Sequence, residues 1–162
     1  MAEYVTPPRT LADKTGRGLP GQGNRLVRKA DQAVKEHIAK VDYRLIAGDS
    51  LNRLNHLMHE FSGDPTRGDL SRSIYELCHD LRGEGASFGY PSVSRVADLI
   101  CRVIDGKVRR DKRFLDVIKI EVASLRAMVR YDVRGEPEGI ALELIDALDF
   151  LVDSFMSKRM AS

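Results

Sequence analysis

At 162 residues, with 43% apolar and 31% charged side chains, the chain fits one globular domain with enough material to bury a core. Lys and Arg total 26 against 24 Asp and Glu, and a net charge of +2 gives no electrostatic footprint for a nucleic acid or an anionic membrane surface. No apolar run reaches the length of a membrane span and the N-terminus lacks the apolar segment of a secretory leader, so a cytoplasmic protein is expected.

Residues 1–23 hold three prolines and the run Gly16-Arg17-Gly18-Leu19-Pro20-Gly21-Gln22-Gly23, which reads as a flexible tail ahead of a helical domain over 24–162. From Asn24, a candidate N-cap, Leu26, Ala30, Ala33 or Val34, and Ile38 recur at helical spacing. Near Gly48-Asp49-Ser50 the helix either continues or breaks. Beyond that point Leu51, Leu54, Leu57 or Met58, and Phe61 keep the period until Ser62-Gly63-Asp64-Pro65 stops it. A helix over about 67–88 follows, closed by Gly89, and Pro91 opens the next, over about 91–105, with Val93, Val96 or Ala97, Ile100, and Val103 or Ile104 inward. The basic stretch 105–113 reads as a solvated connection. Leu115, Ile118, Val122, Leu125 and Val129 mark a helix over about 111–130, and Arg134-Gly135-Glu136-Pro137 ends it. The last helix, about 137–158, is expected to bury Ile140, Leu144, Ala147 or Leu148, Leu151 and Phe155, with Glu143, Asp146, Asp149 and Asp153 on its solvated side. With no alternating strand pattern, the expected fold is all-α: an antiparallel four-helix bundle with an additional N-terminal helix packed across it.

Chemistry concentrates in the helix over 67–88. At about 100° per residue, Leu70, Ile74, Leu77, Leu81 and Phe88 fall within roughly 20° to 40° of one direction, and His79 points about 180° away. An outward imidazole can act as nucleophile, base or ligand. Arg72, Tyr75, Arg82, Gly83 and Ala86 share its face. Arg82, at i+3, is placed to neutralise phosphoryl oxygens, and Gly83, at i+4, leaves a gap beside the ring. Gly83 and Gly85 each cost a helix about 1 kcal/mol relative to Ala, which calls for either function or tight packing. Glu84 lies only about 40° from the core stripe and must snorkel, find a cation or widen the bundle.

Cys78 and Cys101 read as reduced packing residues, and Cys78 diverges by about 100° from His79, so the two do not form a nucleophile and base pair. His56, His59 and Glu60 have ligand-like spacing, but nothing elsewhere completes a metal site.

His79-Asp80-Leu81-Arg82-Gly83, with small Gly85 and Ala86 and then Phe88-Gly89, resembles the signature of histidine-containing phosphotransfer (HPt) domains, and the likeness continues more loosely through 93–100. The specific part covers about a dozen residues. Glu84 departs from it, standing where the family usually has Ser or Ala, and Arg82 replaces the more frequent Lys. The resemblance implies that His79 accepts a phosphoryl group in a multistep two-component phosphorelay, that Arg82 stabilises it, and that Gly83, Ala86 and Gly89 shape the site. It further implies docking by Arg72, Tyr75, Glu76 and Tyr90 to receiver domains of response regulators, with a hybrid histidine kinase as a further partner. The chain itself is expected to hold no metal or cofactor, since Mg²⁺ belongs to the receiver, and to have no kinase or phosphatase activity. A monomer is expected rather than a dimer. The alternative is an unphosphorylated helical adaptor that binds a receiver or another signalling protein.

Overall fold

A computed structural model describes residues 22–40 and 42–160; the expected tail lies outside the described residues except for Gln22 and Gly23, which are helical. The described residues form six helices and no strand: α1 (Gln22–Lys40), α2 (Tyr43–Gly63), α3 (Gly68–Ser87), α4 (Pro91–Asp105), α5 (Lys112–Arg130) and α6 (Gly139–Met160). The chain divides into two compact units, Met1–Val41 and Asp42–Ser162. In the first, α1 is braced along its surface by a bond from Gln32 to Glu36, one turn apart.

In the second unit α2 begins where the Asp42 side chain accepts from the Arg44 backbone N–H, and it runs without interruption through Gly48, Asp49 and Ser50. The helix that carries Leu51 to Phe61 therefore starts at Tyr43 rather than near 48–50. A capping aspartate outweighs one interior glycine, Gly48, whose cost is about 1 kcal/mol. Tyr43, Ala47, Leu51, Leu54, Met58 and Phe61 form the buried edge of α2.

Helix α3 buries Leu70, Ile74, Leu77 and Leu81 as its spacing dictates. Its end is a Schellman turn: the Tyr90 N–H donates to Gly85 O at 2.7 Å and the Gly89 N–H to Ala86 O at 3.4 Å, with Gly89 at φ +81°. Phe88, at the cap, turns back to stack on Tyr43, ring centroids 5.1 Å apart. Helix α4 starts at Pro91 and buries nine of its 15 residues, an arc wide enough to serve three neighbours. It packs against α3, α5 and α6, while α2 packs against α3 and α5.

Helix α5 is capped by Asp111, which accepts from the Arg113 and Phe114 N–H groups. Helix α6 departs from the expected register. Ile140 is exposed and Ala147 too, while Ile145, Leu148, Val152 and Phe155 face the core. Apolar residues occur on several sides of this helix, so spacing alone does not single out the buried stripe. Two of its four regularly spaced acids are not merely solvated: Asp149 pairs with Arg95 and Arg102 of α4 at 3.1 and 3.4 Å, and Asp153 with Arg102 at 2.7 Å.

Candidate functional site

His79 stands in the middle of α3 with 53% of its side chain exposed. Leu77, Cys78 and Leu81 around it are buried, so the backbone that carries the imidazole is fixed by the core while the ring is not. The Tyr75 ring, one turn earlier, lies nearly parallel to it at 6.2 Å between centroids. Asp80 Oδ1 is 3.9 Å from Nδ1, too far for a hydrogen bond.

Arg72, Glu76, Gly83 and Ala86 are exposed and Tyr75 and Arg82 half-buried, which places the expected outer-face residues around His79 on one helix. Tyr90 is a correction. Expected on a docking surface, it is fully buried: its ring tilts against Tyr43 at 4.8 Å, and its hydroxyl donates to the Asp132 carboxylate. Arg134 covers its ring at 5.1 Å, and burial together with the Asp132 bond pushes its hydroxyl up to about 12. The residue after the Schellman glycine is turned into the core, so Tyr90 ties the end of α3 to the turn after α5.

Gly83 and Gly85, the two glycines near the end of α3, have different reasons. A Cβ on Gly85 would meet Ser94 Oγ at 2.8 Å, Tyr90 O at 3.0 Å and the Ser94 N at 3.1 Å, so Gly85 exists to let α3 and α4 approach. A Cβ on Gly83 would meet nothing within 4 Å. The fold does not need a glycine there. What the missing side chain provides is open surface one turn from His79.

Arg82 is held by α4. Its Nη1 donates to Asp98 Oδ1 at 2.6 Å, and its backbone carbonyl accepts from Ser94 Oγ at 2.6 Å. The Asp98 carboxylate raises the guanidinium above its ordinary value. Both side chains are about two-fifths exposed, so water screens the pair and it contributes little to stability. Neither Ser94 nor Asp98 stands out in the sequence as a site residue. The one local signal is their i, i+4 spacing, which puts both on one face of α4.

Among the described residues Glu84 finds no cation. It is half-buried, its Oε2 has no hydrogen-bond partner among the described residues, and burial, with the Asp80 carboxylate second, raises its pKa. Burial, with the Glu84 charge second, raises the pKa of Tyr43, whose buried hydroxyl also lacks a partner among the described residues.

The other histidines diverge. His56 Nε2 lies 2.9 Å from Glu60 Oε1, whereas His59 lines a cleft of about 420 Å³ between α2 and α5 with Lys119 and Arg126. No group of three or more His, Cys, Asp or Glu among the described residues could hold a metal, and no described helix is long and apolar enough to cross a membrane. Cys78 and Cys101 are free and buried. Burial pushes the Cys101 thiol up to about 11, so neither is a ready nucleophile.

Comparison with known protein families, with curated proteins and with solved structures finds no match.

Proposed function

We propose that this chain is a histidine phosphotransfer protein that takes a phosphoryl group from the phosphoaspartate of a receiver domain onto His79 and returns it to a receiver. The observation that carries the reading is Gly83: a costly mid-helix glycine that nothing in the fold requires, next to an outward imidazole and its i+3 cation. A partner's active site is the simplest reason for that gap. In this reading α2, α3, α4 and α5 form the four-helix bundle and α6 buttresses α4 and α5.

The chemistry balances without a catalytic group on the bundle. The Nε2 lone pair attacks phosphorus in line, the P–N bond forms as the P–O bond of the acyl phosphate breaks, and the receiver's aspartate leaves as a carboxylate with the electron pair. The Nδ1 proton stays on the ring beside Asp80, whose charge offsets the imidazolium character that develops. Arg82 balances charge on the phosphoryl oxygens. The receiver supplies Mg²⁺.

Incubation with a phosphorylated receiver should give an acid-labile, base-stable label on the wild type. His79→Gln should abolish it and change stability by less than about 0.5 kcal/mol, because the side chain is on the surface. A wild type that binds receivers yet takes no label from any competent one would instead support the unphosphorylated adaptor.

A further inference from the structure

Arg82 is not waiting free for a phosphoryl group: its guanidinium is already engaged by the carboxylate of a different helix. We infer that Asp98 is a positioning residue, which holds Arg82 while His79 is unmodified and competes with the phosphoryl group for it afterwards. This rests on the phosphotransfer reading above.

The pair is built rather than incidental. Ser94 Oγ clips α4 to the Arg82 carbonyl at 2.6 Å, and the absent Cβ of Gly85 lets the two helices close at that point. Asp98 stands one turn beyond Ser94 on the same helix, so its carboxylate is presented to Arg82 by two fixed backbones. Arg95 and Arg102, the cations on α4 itself, are both drawn away to Asp149 on α6, and Arg102 to Asp153 as well. That leaves Asp98 to Arg82.

A phosphoryl dianion on Nε2 introduces a second anion within reach of the same guanidinium. Arg82 then either leaves Asp98 or divides its donors between two acceptors, and in both cases the phosphohistidine is stabilised less than a free arginine would stabilise it. Asp98 also repels the dianion directly. Both effects raise the tendency of His79 to hand the group on, which suits a carrier. No bond other than those of the transfer itself is made or broken.

The test is the equilibrium constant for exchange between a receiver's phosphoaspartate and His79, read from the partition of the label. Releasing Arg82 is worth at most the strength of an exposed ion pair, so Asp98→Asn should shift the equilibrium toward the phosphohistidine by about two- to five-fold. Asp98→Glu, which keeps the charge, should stay near wild type. On an Arg82→Ala background the Asp98→Asn shift should shrink to less than about half in logarithmic terms, because only the direct repulsion remains. An unchanged or reversed equilibrium in Asp98→Asn, or an equal shift in both backgrounds, would overturn the role of Asp98. Phosphoramidate, a small donor that needs no receiver, separates the two levels. If the wild type labels and Asp98→Asn partitions like it, Asp98 alone has been misread. If the wild type takes label from neither donor, the phosphotransfer reading and this role fall together. Asp98→Glu also guards against a folding artefact, since a general loosening of α3 from α4 on replacing Asp98 would show in that variant too.

Discussion

Glu121 sits on the buried side of α5 with no exposed surface, and neither carboxylate oxygen has a hydrogen-bond partner among the described residues. Burial pushes its pKa up to about 8 from an ordinary 4.5, only partly offset by Arg102. At neutral pH the folded protein therefore holds this acid protonated. The folded state binds the proton more tightly than the unfolded chain, so the linked stability is complete below about pH 4.5 and is lost as pH rises through about 8. The shift caps the loss at about 5 kcal/mol. Urea midpoints for wild type and Glu121→Gln should lie close together at pH 5 and diverge by pH 8, with the Gln variant the more stable. Parallel pH dependences would refute the buried acid. The sequence does not flag this residue, because Glu121 lies roughly 80° off the stripe of Leu115, Ile118, Val122, Leu125 and Val129. Helix α5 packs against α2, α4 and α6, which widens its buried arc to take in Val117, Glu121, Ser124 and Met128. His79 is legible for the opposite reason: a residue directly opposite a narrow stripe stays outside whatever the neighbours do.

At the scale of the element, α3 carries two glycines whose removal should have opposite signs. Gly85→Ala places a methyl against backbone atoms of Tyr90 and Ser94, which cannot move without parting α3 from α4. Overpacking of this kind costs about 1–3 kcal/mol, more than the roughly 1 kcal/mol that Ala adds to a helix. The thermal midpoint should fall. Gly83→Ala meets nothing, keeps the helical gain of up to about 1 kcal/mol, and should raise the midpoint. In the proposed reading it should also slow transfer to His79 by narrowing the approach to the ring. A stabilised protein with undiminished transfer would show that the gap serves no partner. The sequence identifies both glycines as anomalies but cannot assign them, because what separates them is the position of Ser94 on another helix. Helix limits are more legible than helix faces. Asp111 and Gly89 act through local hydrogen bonds and Pro91 through its fixed φ, all displayed directly by the sequence, whereas the buried side of α6 depends on where α4 and α5 stand.

Across the whole second unit, α4 is the shared wall. It touches α3, α5 and α6, and five of its apolar residues, Val93, Val96, Ala97, Ile100 and Val103, have no exposed surface at all. Helix α6 is held differently, by Ile145, Leu148, Val152 and Phe155 on one side and by the Arg95, Arg102, Asp149 and Asp153 ion pairs at its rim, while Ile140, Leu142 and Phe150 remain exposed. Local opening follows the density of buried contacts, so backbone hydrogen exchange should rank the interior of α4 slowest and the first turns of α6 among the fastest in this unit. Moderate salt should speed exchange in α6 without changing the centre of α4, because rim charges are screened over about 10 Å at 0.1 M and apolar burial is not. Uniform protection across α4 and α6, insensitive to salt, would mean that α6 is as integral to the core as the other helices. The ranking bears on the site through Ser94 and Asp98, which both project from α4. Arg82 is therefore held by the part of the molecule expected to open last, and His79 is presented by a helix anchored to that same wall.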